Sequence, residues 1–215
     1  MIIKGAIFDL DGTILNSMPV WETAGERYLL SKEIDPGYDI QKDLKTKSLY
    51  QAAVFMKEKY EITDSVEKIM DDINKVIEKS YFEDVLPKEG VRDFLEFLRE
   101  NDVKMCIATA TDRYMVEAAL KRCKLDIFFE KIFTCSEVGK GKDEPDIFNF
   151  ALEFLNTEKE KTWIFEDAYY ASQTAKNAGF KVCGVFDNSE FNIDKLKLTA
   201  DVFVLNLSDA IEYFK

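Results

Sequence analysis

Six short runs of β-branched and aromatic residues recur along this chain, and helical patterns separate most of them. The runs fall at residues 2–8, 103–108, 131–134, 162–165, 181–185 and 201–204. Apolar residues at helical spacing fill 91–100, 114–123, 145–155, 169–178 and 207–214. Strands joined through a helix pair in parallel, because the crossover needs a dozen or more residues where a hairpin needs few. The alternation therefore predicts an α/β fold: a Rossmann-like parallel sheet sandwiched by helices. Gly179 stands where a helix must end before the next strand begins.

One segment breaks the rhythm. Residues 17–83 are charge-rich, contain no strand pattern, and carry three helical stripes. Val20, Ala24, Tyr28 and Leu29 mark the first, Ala52, Ala53, Phe55 and Met56 the second, and Val66, Ile69, Ile73, Val76 and Ile77 the third. The stretch Leu86-Pro87-Lys88-Glu89-Gly90 then punctuates a return to alternation. The expected organisation is a core of residues 1–16 and 84–215 with an all-helical insertion at 17–83.

In open parallel sheets, ligands bind at the carboxyl ends of the strands. Asp9 and Asp11 follow the first run, Thr109, Ala110 and Thr111 the second, and Glu166 and Asp167 the fourth, while Lys142 opens a helix after the third. Strand interiors disfavour carboxylates, so Asp9 and Asp11 mark either a turn or a site. Residues i and i+2 of a strand share a face, which lets both aspartates address one pocket, and Gly12 permits a sharp exit. The set fits phosphoryl transfer to a carboxylate. Asp9 attacks phosphorus, Asp11 exchanges the proton, Thr109 and nearby backbone N–H groups hold phosphate oxygens, and Lys142 offsets negative charge. Asp9 and Asp11, with Asp167 or Glu166, would hold Mg²⁺, a cation that prefers oxygen ligands.

Composition narrows the chemistry further. The chain has no histidine, which removes histidine general bases, Ser-His-Asp triads and His-ligated zinc. Its net charge of −12 argues against nucleic-acid or anionic-membrane surfaces. The four cysteines have no metal-type or paired spacing, Cys106 and Cys183 lie in apolar runs, and a reducing, cytoplasmic location is expected. The apolar run begins directly after Met1-Ile2-Ile3-Lys4, so no signal peptide is expected, and no stretch approaches the ~20 apolar residues of a bilayer span.

These residues stand in an order that resembles the haloacid dehalogenase superfamily, phosphatase branch, over nearly the whole chain. Phe8-Asp9-Leu10-Asp11-Gly12-Thr13 resembles its first motif, Ile107-Ala108-Thr109 its second, Gly141-Lys142-Asp143-Glu144-Pro145-Asp146-Ile147-Phe148 its third, and Ile164-Phe165-Glu166-Asp167 its fourth. The resemblance implies that Asp9 is the nucleophile and Asp11 the acid/base. It implies that Thr109 and its neighbour Ala110 bind phosphate, and that Lys142 pairs nucleophile and phosphate. Asp9, Asp11 and Asp167 are the implied metal ligands, Mg²⁺ the cofactor, and 17–83 a helical cap. Where relatives show Ser and then Gly after the fourth motif, this chain has Ala168 and Ala171, and Asn16 replaces a frequent Asp.

Within that family, Asp11 favours a phosphoester over a carbon–halogen or phosphonate substrate. The expectation is a phosphomonoesterase acting on a small phosphorylated metabolite, a sugar phosphate or a phosphoglycolate-like acid, and a monomer by default. The alternatives are a sugar phosphomutase of the beta-phosphoglucomutase type and an inert metabolite-binding protein. Trp21 stands where the mutases carry a cap histidine, and it either floors the pocket or belongs to the cap core. Lys42, Lys45 and Lys47 are either substrate contacts or a solvated face. Tyr169 and Tyr170 either line the mouth of the site or pack on the sheet.

Overall fold

The computed structural model describes residues 2–38, 40–44 and 49–215. The chain forms two compact units, one of Met1–Asn16 with Val85–Lys215 and one of Ser17–Asp84.

The helical unit contains α1 (Met18–Ser31), α2 (Ile40–Leu44), α3 (Leu49–Lys59) and α4 (Val66–Glu83). Ile69, Ile73 and Ile77 form the buried stripe of α4, one turn apart, as the spacing predicts. Ser65 starts that helix by accepting a hydrogen bond from Lys68 N at 3.2 Å. The half-buried Trp21 donates its Nε1–H to Tyr81 Oη at 2.7 Å, which ties α1 to α4 and makes Trp21 part of this unit's own packing. The short α2 carries too few residues to show a period and is absent from the sequence reading. Lys42 lies exposed on it, while Lys45 and Lys47 lie outside the described residues.

The second unit runs β1 (Gly5–Phe8), then α5 (Val91–Glu100), β2 (Lys104–Thr109), α6 (Arg113–Arg122), β3 (Lys131–Thr134), α7 (Cys135–Val138) and α8 (Asp146–Leu155). It continues with β4 (Thr162–Glu166), α9 (Tyr169–Asn177), β5 (Lys181–Val185), α10 (Ile193–Thr199), β6 (Val202–Val204) and α11 (Ile211–Phe214). The six strands form one sheet in the order β3-β2-β1-β4-β5-β6, with every pairing parallel. The run 207–214, read as one helix, divides into a 3₁₀ turn at Leu207–Ala210 and α11.

Alternation along β1 and β4 sorts the core. Ile7 and Ile164 face one side, where they pack with Phe148, Ala151, Ala171, Ala175 and Val182 beneath α8 and α9. Phe8 and Phe165 face the other, stacked at 4.5 Å and joined by Phe94 and Phe214 from α5 and α11. Both faces are covered, which is why these strands read as unbroken apolar runs.

The strand order places the site. The chain winds outward from β1 through β2 to β3, then returns to lay β4 on the other side of β1. Connections thus leave β1 and β4 in opposite directions, and a crevice opens at their carboxyl ends.

Candidate active site

Asp9 is the first residue past β1 and Glu166 the last of β4. Register sets them side by side, since Phe8 pairs with Phe165 and Asp9 N donates to Phe165 O at 2.9 Å. Asp9 lies two residues beyond Ile7, and Glu166 two beyond Ile164, so both carboxylates turn toward the α8 side of the sheet. Lys142 meets them there. It lies in the turn ahead of α8 rather than opening that helix, which begins only at Asp146 because Pro145 cannot supply an earlier backbone donor. Its ammonium donates to Asp9 Oδ1 and to Glu166 Oε2, the latter at 2.8 Å. Asp9, Lys142, Glu166 and Asp167 are 7, 3, 2 and 4 % exposed, and charges so deep persist only in mutual pairing.

Asp9, Glu166 and Asp167 each bring a carboxylate oxygen within 4.8 Å of the others. Burial pushes the Asp9 carboxyl up, to about 8, with the Glu166 charge adding to the effect and Lys142 opposing it. Asp167 is raised by the same burial and by the Asp9, Glu166 and Asp187 carboxylates. Burial alone would lower Lys142, but Asp9 and Glu166 more than offset it and hold the ammonium well above its ordinary value. The arrangement holds more carboxylates than ammonium groups and favours a cation among them.

The turn after β1 shapes the rest. Ile14 N and Leu15 N both donate to Leu10 O, at 2.9 and 2.8 Å, and Gly12 takes φ +85. A side chain at Gly12 would be strained and would collide with the Asp167 carboxylate. Thr13 Oγ1 donates to Asp167 Oδ1 at 3.1 Å. Because β1 ends at Phe8, the two-residue alternation does not carry through to Asp11. Its carboxylate stands outside the three-carboxylate group and instead accepts from Thr111 Oγ1 at 2.6 Å. Asp9 and Asp167 of the expected ligand set thus lie together with Glu166, while the Asp11 side chain lies beside Thr111.

Residues 6–185 match the profile of the haloacid dehalogenase-like hydrolases. The chain belongs to that family. It is 27% identical over 179 residues to the phosphorylated carbohydrates phosphatase of Thermotoga maritima, covering 83% of each protein. A solved Thermotoga maritima structure, described as a candidate beta-phosphoglucomutase, superposes with TM-score 0.80 at 25% identity over 98% of both chains. CbbY from Rhodobacter sphaeroides, solved with phosphate, gives TM-score 0.84 at 18% identity over 98% of this chain and 96% of that one. This chain is a hydrolase of the family, with its Rossmann-like core and all-helical insertion.

In this family member, Thr109 is the wholly buried last residue of β2, and its Oγ1 accepts from Thr111 N at 3.1 Å. Ala110 follows it, exposed at the strand end. Ala168 N donates to Glu166 Oε1 at 3.1 Å, so Ala168, where the resemblance leads one to expect Ser, engages Glu166 through its backbone. Ala171 is buried in the core beneath α9. Tyr170 is exposed on the first turn of α9, and Tyr169 is half-buried under Lys195, whose Nζ lies 5.5 Å from its ring centre.

Three residues escape the sequence reading. Thr111 reads from the sequence only as a strand-end residue, yet its hydroxyl donates to Asp11. Lys88 hides in a stretch that reads as a turn. Asp187 follows β5, a strand end that the carboxyl-end rule itself could have pointed to.

Proposed function

We propose that this hydrolase is a phosphomonoesterase that uses Asp9 as nucleophile. The observation that carries the reading is Lys142: a buried ammonium joined at once to Asp9 and Glu166 at the switch point of the sheet. The Asp9 carboxylate forms a bond to phosphorus as the ester P–O bond breaks, and Asp11 gives its proton to the departing oxygen. Asp11, now a carboxylate, takes a proton from water. That water attacks phosphorus, which releases phosphate and restores Asp9. Thr111 keeps the Asp11 carboxyl oriented for both transfers. The Thr109 hydroxyl and the backbone N–H of Ala110 hold phosphate oxygens, and Lys142 offsets charge as the oxygens crowd.

The residues fit a divalent cation such as Mg²⁺, because the donors are clustered, buried and all oxygen. Asp9 and Asp167 are its holders. Both oxygens of Glu166 are engaged, one by Lys142 and one by Ala168 N, so Glu166 serves chiefly to seat the lysine. Once bound, the cation would stabilise ionised carboxylates and offset phosphate charge.

The substrate is a small phosphorylated metabolite, with sugar phosphates first, in keeping with the name of the Thermotoga maritima relative. The helical unit is inserted between β1 and α5, the place where the family resemblance puts a cap. All four cysteines are free thiols, which suits a cytoplasmic enzyme. The mutase reading draws on the Thermotoga maritima structure, but Trp21 occupies the place expected for a mutase histidine and spends its only side-chain donor on Tyr81.

The test is phosphate release from a panel of sugar phosphates, phosphoglycolate and pyrophosphate, with Mg²⁺, for the wild type and Asp9→Asn. Release by the wild type alone is expected. Equal release by both proteins removes Asp9 from its role, and conversion between sugar phosphate isomers primed by a bisphosphate replaces the phosphatase with a mutase.

A further inference from the structure

We propose that Lys88 is a positioning residue for the carboxylate site: it pins the Gly12 turn against Asp167 and thereby sets the affinity for a divalent cation. This rests on the metal-dependent reading above. Lys88 lies 76 positions beyond Gly12, in the first loop after the helical unit. Its Nζ donates to Gly12 O, to Phe186 O at 2.6 Å and to Asp187 Oδ2 at 2.9 Å. Those three bonds use every donor an ammonium has. Its backbone is bound to the same loop, because Lys88 N donates to Ile14 O at 2.9 Å.

Lysine ordinarily keeps its charged end in water. Here the side chain is only 15% exposed, and its acidic partner 9%. Asp187 is fixed in turn, since its Oδ1 accepts from Ser189 N at 2.9 Å and Ser189 Oγ at 2.8 Å. One cation therefore fastens the loop that carries Asp9 and Asp11 to the end of β5. The Gly12 backbone that it grips lies against the Asp167 carboxylate, and the next residue, Thr13, donates to that same carboxylate. Lys142 ties Asp9 to Glu166 on one flank of the cluster, and Lys88 ties the Gly12 turn to the end of β5 on the other. Partners that hold metal ligands in place commonly govern affinity by about 10–100-fold.

The experiment is direct titration of the protein with Mn²⁺, followed by the paramagnetic signal of free Mn²⁺, for the wild type, Lys88→Met and Lys88→Gln. It needs no substrate. Folded Lys88→Met should bind Mn²⁺ about tenfold more weakly, with kcat recovering toward the wild-type value as Mg²⁺ is raised. A purely structural lysine would lower the melting temperature and leave the Mn²⁺ affinity of the folded protein unchanged, and that result overturns the proposal. Should Lys88→Met not fold, Lys88→Gln, one atom shorter and with two donors where the three acceptors need three, carries the test with the same expectation. Wild-type affinity in it overturns the proposal equally. A wild type that binds no Mn²⁺ sinks the metal reading itself, an outcome distinct from equal affinity in wild type and variant.

Discussion

Asp9 and Glu166 end neighbouring strands, and without a cation between them they would repel at close range in a buried place. Lys142 resolves that conflict through its two bonds, and in the proposed reaction it serves the chemistry as well. Lys142→Met should therefore lower stability by about 3 kcal/mol near neutral pH, as expected when one member of a buried charge cluster is removed. A denaturant titration checks this, and an unchanged midpoint would mean that the carboxylates are accommodated in another way. The two aspartates separate by kinetics. Asp11→Asn should reduce turnover by about 10²–10⁴-fold, the range of general acid–base catalysis, and leave phosphate on the protein after mixing with substrate. Asp9→Asn should leave none. Labelled phosphate trapped by rapid acid quench distinguishes the two. Thr111→Val removes the donor to Asp11 at 2.6 Å and should lower kcat by about tenfold with KM nearly constant, the loss of about one hydrogen bond to a charged group.

At the scale of elements, the turn that leaves β1 is the part least open to change. Gly12 sits at φ +85 against Asp167, so Gly12→Ala brings both backbone strain and a clash. It should cost about 1–3 kcal/mol of stability and most of the activity, measured by thermal melting and phosphate release. A fully active variant would show that the turn can relax. The same turn marks where sequence reading stops. The strands were legible because burial on both faces leaves continuous apolar runs, and 131–134 and 181–185 match β3 and β5 to the residue. Glu166 and Asp167 were legible because they stand at a strand end, and Lys142 because it stands just ahead of a helix. The place of the Asp11 side chain was not legible, because strand alternation does not carry past Phe8, where the chain already turns. The helix α10 was missed because Leu196 alone is buried on it, and one buried residue has no period. Lys88 and Asp187 were missed because pairing across about a hundred positions leaves no local trace.

For the molecule as a whole, the site exchanges stability for readiness to bind a cation. Burial and mutual repulsion raise Asp9 to about 8, and they raise Asp167 as well, whereas an unfolded chain releases such protons near 4. Below that value both states are protonated, and the site imposes no pH dependence. As pH climbs from about 4 to about 8, the unfolded chain holds fewer protons than the folded one, so the cation-free protein should lose stability across this window. A divalent cation bound as proposed would take the ionised carboxylates and would have to displace the protons held by the folded state. Its stabilising effect should therefore grow with pH over the same interval. We expect the melting temperature in chelator to fall between pH 5 and pH 8, and the increase produced by millimolar Mg²⁺ to be larger at pH 8. Thermal melts at the two pH values, with and without Mg²⁺, read both effects. An Mg²⁺ increment equal at both would show that Asp9 and Asp167 are already ionised without the cation. Lys142 and Lys88 would then neutralise the cluster by themselves. A larger increment at pH 8 would mean that the protein keeps Asp9, the proposed nucleophile, protonated until the cation arrives.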